Sequence, residues 1–293
     1  MDILRSASNP WDQAILVGIA WDLMWAALIV GVVFVIGHAV YVRWVARPGR
    51  PEEAFVPSAG VPERIVRHDL SSRLFHWLMS LAMFALLITA FFPVVGIRFP
   101  WVTIHWIAGV VLLVTIVYHI VRATLLQDLR AMWIGREDVQ EGLRAVGSFL
   151  RRSRVVSPKA AKYPLDHKLF HHAAAAAGLV AIVTGVLMMV RIDTPLLAMN
   201  PYMLSEGAWG VVYVFHGLSG VGLITLVTMH VYFAIRPEKR WLTRSMVWGW
   251  IGREEYLLHH DPECWKLNGG PSERVSESSV AEVSPEAEPV AGA

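Results

Sequence analysis

Two pairs of histidines stand in long apolar stretches of the chain with identical spacing. His105 and His119 are 14 residues apart in one stretch, and His216 and His230 are 14 residues apart in another. In an α-helix this spacing is close to four turns, so both members of a pair share one face about 21 Å apart. Two such helices that run in the same direction present facing imidazoles at two levels. A histidine inside a bilayer is costly and usually functional, and facing imidazoles can ligate a haem iron from both sides.

Glycines beside these histidines would leave room for a flat ring. Gly109 follows His105 by one helical turn, and Gly217, Gly220 and Gly222 follow His216. A helix surface without side chains lets a large planar group approach closely. The pattern therefore predicts stacked b haems that carry electrons through the bilayer.

The histidine partners are predicted differently at the two levels. At the outer level only His105 and His216 are available, so they are expected to form a pair. At the inner level spacing alone does not select the partner of His230. The candidates there are His76, His119, His171 and His172.

Five apolar stretches are long enough to cross a bilayer as helices, which needs about 20 residues each. They cover residues 15–37, 73–94, 101–122, 170–191 and 209–234. They are too long and too little alternating for barrel strands, so we expect an all-α integral membrane protein. The single cysteine, Cys264, excludes self-contained iron–sulfur clusters, disulfide frameworks and covalent CxxCH haem attachment.

Basic residues are distributed unevenly among the connections. They concentrate in 38–72, in 122–168 and after residue 234, whereas 95–100 and 192–208 have one nearby each, Arg98 and Arg191. The positive-inside rule then predicts a multi-pass protein of the bacterial inner membrane with a periplasmic N-terminus and a cytoplasmic C-terminus. The amphipathic stretch 235–266 is expected along the inner surface. The polar, acidic stretch 267–293 is typical of a disordered tail, and we expect no nucleic-acid partner.

Several motifs in fixed order resemble a known family. They are RLFHW (73–77), the His105 helix with Gly109, KYPLDHKLF (162–170), the final helix with paired histidines, and SMVWGWIGREEYLLHHDPECW (245–265). Together they resemble the cytochrome b (gamma) subunit of formate dehydrogenases and the wider family of dihaem cytochrome b anchors of hydrogenases and thiosulfate or tetrathionate-type reductases. The resemblance covers about residues 64–266.

The resemblance implies a four-helix haem-binding bundle made of the second to fifth spans. Residues 1–63 add a further N-terminal span with a linker, 64–266 form the dihaem bundle with its surface segment, and 267–293 form the tail. The family pattern pairs His105 with His216 for the outer haem b and His76 with His230 for the inner one. His119 departs from that pattern: it is an alternative ligand opposite His230, or it binds a third haem with His171 or His172.

The resemblance also implies an electron-transfer subunit of a respiratory oxidoreductase complex without substrate chemistry of its own. It would connect the quinone pool with an iron–sulfur or haem c subunit on the periplasmic side and the catalytic subunit of that partner. The expected quinone site at the inner end comprises Asp166, His167, Lys168, His172, His259 and His260. These residues have two other interpretations, since Asp166 is suited to cap a helix and a basic inner face commonly binds lipid head groups.

Two rival functions are a haem-free anchor or assembly subunit and a transporter. A haem-free protein has no need for two matched histidine pairs. A transporter is expected to have discontinuous helices and intramembrane charge. The predicted spans show no such feature beyond Asp22.

Overall fold

The computed structural model describes residues 2–44, 61–126, 129–150, 159, 161–262 and 264–267. Five long helices dominate it: α1 (Asp22–Trp44), α2 (Leu70–Phe91), α3 (Trp101–Leu126), α5 (Leu165–Met189) and α6 (Glu206–Ile235). All five are long and apolar enough to cross a membrane. The expected all-α membrane architecture is confirmed. The predicted tail lies outside the described residues apart from Leu267, as does the linker 45–60.

The first predicted span, 15–37, was wrong in its boundaries. Residues Ala14–Ile19 form a strand, β2, which pairs antiparallel with β1 (Leu4–Ser8), and α1 begins only at Asp22. The apolar run continues across the strand and the helix, so hydropathy alone could not separate them. Gly18 has a φ of 146°, which is outside the helical region. Asp22 consequently lies in the first helical turn, where the helix dipole favours a carboxylate.

The β1–β2 hairpin lies against the beginning of α6, and we call this side of the bundle the hairpin end. A Cβ atom at Gly210 would lie 2.6 Å from the Leu16 Cβ, and one at Gly217 would lie 2.8 Å from the Ile19 Cγ1. Only glycine therefore allows β2 to lie this close to the helix.

Four helices form the central bundle, and α1 packs against its α6 side. Within the bundle α2 packs along α3 and α5 packs along α6, whereas contacts between these two helical pairs are sparse. The α1–α6 contact is close because Gly31 faces Thr228, and the Thr225 hydroxyl donates to the Ala27 carbonyl at 3.1 Å. Small residues at such a seam are typical of helices that associate in membranes.

The opposite side of the bundle, here the basic end, is covered by short elements. Strand β3 (Arg64–Val66) pairs antiparallel with β4 (Trp250–Gly252), and Ile65, Ile251 and Tyr256 form a small buried cluster beneath. Three further helices complete this end: α4 (Arg136–Leu150), α7 (Arg240–Trp248) and α8 (Arg253–His259), with 3₁₀ turns at Leu129–Met132 and Pro237–Lys239. The predicted surface segment thus forms a folded cap that ties the start of α2 to the end of α6.

Candidate functional site

His105 of α3 and His216 of α6 face each other near the hairpin end. Their ring centroids are 6.1 Å apart, with 71° between the ring planes. Because a bond from a metal to an imidazole nitrogen is about 2 Å long, two rings that ligate one iron from opposite sides have centroids roughly 6 Å apart. The observed separation therefore suits bis-histidine ligation of one iron.

Two buried threonines hold these imidazoles in matching ways. The Thr89 hydroxyl lies 2.7 Å from the His105 Nδ1, and the Thr184 hydroxyl lies 2.9 Å from the His216 Nδ1. Each hydroxyl donates to the backbone carbonyl four residues earlier on its own helix, at 2.7 and 2.6 Å. The hydroxyl oxygen is then an acceptor for the Nδ1 proton, which leaves Nε2 of both rings as the ligand atom.

A cavity of about 370 Å³ lies around this pair, between α2, α3, α5 and α6, and its walls are almost entirely apolar. A Cβ at Gly220 would meet no atom within 4 Å, and one at Gly109 would meet only the Leu86 Cδ2 at 4.0 Å. These two glycines thus leave open space at the cavity wall. The Cβ direction of Gly217 faces Ile19 of β2 instead, so this glycine accommodates the hairpin. The two free Nε2 atoms, the apolar walls and the open glycine surfaces fit a haem.

A second pair, His76 of α2 and His230 of α6, faces each other at the basic end. The ring centroids are 6.3 Å apart, with 51° between the planes. The His76 Nδ1 is buried and has no hydrogen-bond partner among the described residues. Phe170 stacks on the His230 ring at 4.8 Å and 19°. The separation again suits one iron between two imidazoles.

His119 faces α5, whereas the alternative of a haem shared with His230 would require it to face α6. Its ring lies opposite His171 of α5 with a centroid separation of 6.4 Å and 66° between the planes. Phe75 stacks on the His119 ring at 4.2 Å and 12°. The His172 Nδ1 is 2.8 Å from the Lys168 carbonyl, so His172 is bonded within its own helix.

The residues predicted for the quinone site separate into two groups. Asp166 and His167 lie in the first turn of α5, and His167 is within electrostatic range of Asp166 and the ligand candidate His230. The Lys168 ammonium, by contrast, forms a half-buried ion pair with Asp138 of α4 at 2.8 Å. Asp166 also forms an ion pair with the Lys239 ammonium at 3.9 Å. The start of α5 therefore presents an acid and an imidazole at the basic end of the bundle.

His259 and His260 have structural surroundings in the cap. The His260 side chain is buried, accepts a hydrogen bond from the Arg67 guanidinium at Nε2 (2.9 Å) and donates from Nδ1 to the Ala161 carbonyl (2.9 Å). The His259 ring stacks on Trp241 at 4.7 Å and 6°. His260 thus holds the segment after α6 against the segments before α2 and α5, whereas His259 packs within the segment after α6.

Burial affects the charges of two neighbouring side chains of the cap in different ways. Burial lowers the pKa of Arg67 to about 10, so this group stays charged at neutral pH. Burial, together with the charges of Arg67 and Lys162, lowers the pKa of His68 to about 3. His68 is therefore a neutral imidazole in the folded protein at neutral pH.

Thr89 and Thr184 were missed by the sequence reasoning, although a signal was present. Each lies 13 residues after the histidine of a Leu-Phe-His triplet, at Leu74–His76 in one half and Leu169–His171 in the other. The two triplets with their threonines form an internal repeat. The prediction of the haem ligands rested only on the 14-residue histidine spacing of α3 and α6.

Residues 67–249 match the family model described as prokaryotic cytochrome b561. The matched range is more than half of the 293 residues and contains all six paired histidines. No individual curated protein matches the chain. The expected kinship with cytochrome b membrane anchors is confirmed at the level of a cytochrome b membrane family.

Proposed function

Since the chain belongs to the prokaryotic cytochrome b561 family, we propose that it conducts electrons through the bilayer between the quinone pool and a redox protein bound at the hairpin end. The family makes it a multi-pass membrane cytochrome b that binds haem b. Beyond this, we propose that it exchanges electrons with quinone, that it has a redox partner protein, and that it belongs to a respiratory complex.

The observation that carries this proposal is the pair of threonine-bound histidines across the apolar cavity. Thr89 and Thr184 present the Nε2 atoms of His105 and His216 to the same space. Haem b bound there supplies reversible one-electron transfer, and two histidine ligands leave its iron no open position for substrate. The apolar side chains around the pair exclude water, and the threonines fix the ring orientation and tautomer.

The second proposed haem position, between His76 and His230, lies at the other end of the bundle. His216 and His230 are 14 residues apart on α6, which separates the two levels by about 21 Å along the helix. These two levels bring redox groups towards both faces of the membrane. From the positive-inside rule we propose that the basic end lies in the cytoplasm and the hairpin in the periplasm.

Quinone exchange is proposed at the start of α5, at the basic end. A quinol that gives up two electrons also releases two protons, so its site needs hydrogen-bonding groups that can pass protons to water. Asp166 and His167 provide a carboxylate and an imidazole there, and His167 is within electrostatic range of His230. Lys168 and His172 of the same helix and His259 and His260 of the cap remain outer candidates, because each is held by other contacts. The ion pair of Asp166 with Lys239 is longer, at 3.9 Å, and the Asp166 side chain is 64% exposed.

The hairpin end offers the surface for the proposed periplasmic partner. Large apolar side chains are exposed there on both the hairpin and the α5–α6 connection, including Trp11 at 74% and Tyr202 at 91%. Exposed aromatic residues of this kind are common in protein interfaces. An iron–sulfur or haem c subunit docked here would receive or donate electrons close to His105 and His216.

The first experiment is an optical spectrum of the purified, dithionite-reduced protein, with a pyridine haemochrome determination. Bands of b-type haem are expected, and a colourless protein would instead support a haem-free anchor or a transporter.

Quinol exchange is tested by stopped-flow reduction with a short-chain quinol. The variant His167→Ala should be reduced more slowly than the wild type at unchanged haem content. His38→Ala is the matched control, since His38 is bonded to the Tyr232 hydroxyl on another side of the basic end. Equal rates in all three proteins would remove the start of α5 from the quinone site.

A further inference from the structure

The two halves of the bundle are internal repeats of each other. The sequence Arg73-Leu-Phe-His76 at the start of α2 returns as Lys168-Leu-Phe-His171 at the start of α5, and Thr89 returns as Thr184 at the same offset of 95 residues. In the second helix of each half, His105, Gly109, Leu112 and His119 return as His216, Gly220, Leu223 and His230, all at an offset of 111 residues. Two constant offsets over nine positions, eight of them with identical residues, indicate that α2–α3 and α5–α6 are equivalent helical pairs.

The side-chain contacts repeat as well. Thr89 of α2 bonds to His105 of α3 just as Thr184 of α5 bonds to His216 of α6, at 2.7 and 2.9 Å. The phenylalanines that stack on histidines also correspond between the two halves. Phe75 of the first half stacks on His119, and Phe170 of the second half stacks on His230. The bundle therefore has an approximate two-fold relation that exchanges α2–α3 with α5–α6.

This relation acts differently on the three histidine pairs. It exchanges His105 with His216, so the hairpin-end pair is converted into itself. It exchanges His76 with His171 and His230 with His119, so the pair His76–His230 is converted into the pair His171–His119. The centroid separations of these two pairs agree with that equivalence, at 6.3 and 6.4 Å.

We infer that His119 and His171 are the axial ligands of a third haem b, bound at the basic end between α3 and α5. The inference rests on the proposed haem content of the other two pairs and adds a site to them. The Nε2-to-iron distance of about 2 Å allows one iron between rings with this separation. Both basic-end pairs join helices of different halves that make few contacts with each other, α3 with α5 and α2 with α6.

The ligand chemistry of the pair selects haem over a bare metal ion. Among the described residues, no third His, Cys, Asp or Glu side chain joins these two imidazoles in a metal-binding group. Two nitrogen ligands leave zinc or a similar ion half-coordinated, whereas haem brings four ring nitrogens and needs only two axial ligands. His172 is adjacent in sequence, but its Nδ1 lies 2.8 Å from the Lys168 carbonyl.

The test is the haem-to-protein ratio of the full-length chain, purified from cells supplied with excess haem precursor. The wild type should bind three haems per chain, and His119→Ala and His171→Ala should each bind two. In a redox titration followed by optical and EPR spectra, both variants should lose the same component. The double variant should equal the single variants, because either substitution already removes the site.

His172→Ala is the matched control and should retain three haems. A wild type with two haems, or a His171→Ala variant that keeps the wild-type number, would overturn the third site while leaving the proposed function intact. A protein without any haem would overturn the proposed function itself. Loss of the His105–His216 component in the His119→Ala or His171→Ala protein would also contradict the assignment, because these substitutions leave that pair and its threonines unchanged.

Discussion

The two ends of the helical bundle present histidines in contrasting environments. At the hairpin end, His105 and His216 are each bonded to a buried threonine and border an apolar cavity. At the basic end there are two pairs of facing histidines. Among the described residues, no threonine hydroxyl bonds to any of these four rings. Fixed imidazoles in an apolar site suit electron transfer with little rearrangement, and the proposed exchange with a quinol belongs to the less constrained end.

Removing a histidine ligand at the hairpin end should have the largest effect on the difference between the two ends. His105→Ala and His216→Ala should each reduce the haem content by one per chain, because either change removes one of the two axial ligands. Both variants should lose the same component in a redox titration, and the basic-end components should remain. If the two variants lose different components, the pairing across the cavity is wrong.

The role of the threonines is examined by Thr89→Val and Thr184→Val, which delete a hydroxyl at similar shape. Each should weaken haem retention about 10- to 100-fold, as expected for loss of a group that orients a metal ligand. The measurement is haem loss to an excess of a haem-scavenging protein, with the EPR spectrum as a second readout of ring orientation.

Thr115→Val provides the matched control for both threonine variants. Thr115 is also buried in the bundle, but its hydroxyl donates to the Val111 carbonyl at 2.6 Å without reaching a histidine. Its haem retention should equal that of the wild type. Equal loss from all three variants would show that the threonines act through general packing.

The smallest expected effect concerns the attachment of α4 at the basic end. Burial raises the pKa of Asp138, but the hydrogen bonds from Lys168 and the Gly135 amide, with the charge of Lys168, outweigh it and hold the pKa below its usual value. The ion pair therefore contributes fully above the usual aspartate pKa and is lost as the pH falls through the lowered value in the folded protein. Proteolysis within α4 should accordingly be independent of pH between about 8 and 5.

Asp138→Asn should increase the cleavage rate of α4 roughly 1.5- to 5-fold over that range, which corresponds to about 0.2–1 kcal/mol for a partly exposed pair. Limited proteolysis in detergent at several pH values measures it, with a protease active throughout. A wild-type cleavage rate that already rises between pH 8 and 6 would show that another group controls this attachment.

Sequence reasoning predicted the helices and the placement of the histidines on α3 and α6, because hydropathy and helical periodicity are local properties. It did not predict that Ile15 and Leu16 belong to a strand, since an apolar run has the same hydropathy in either conformation. The neighbour of His119 was also undetermined. That contact depends on how α5 is rotated about its axis relative to α3, and spacing within one helix does not contain this information.

Sequence reasoning did not identify Thr89 and Thr184 for a different reason. A threonine in an apolar helix is an ordinary residue, and Thr115 resembles Thr89 until the facing helix is known. Comparing the halves would have separated them, because Thr89 has a counterpart at the 95-residue offset and Leu74–His76 precedes it at the same distance as in the second half.

Every facing pair takes one histidine from α2–α3 and the other from α5–α6, and this arrangement sets an order of assembly during synthesis. When the ribosome has completed α3, the chain contains half of each pair and no complete one. The pair His119–His171 becomes available with α5, and the other two require α6. A cofactor held by two such ligands can therefore be captured stably only late in translation, and once captured it joins the early and late parts of the chain. Cells short of haem should therefore accumulate full-length chains whose two halves lack these joins.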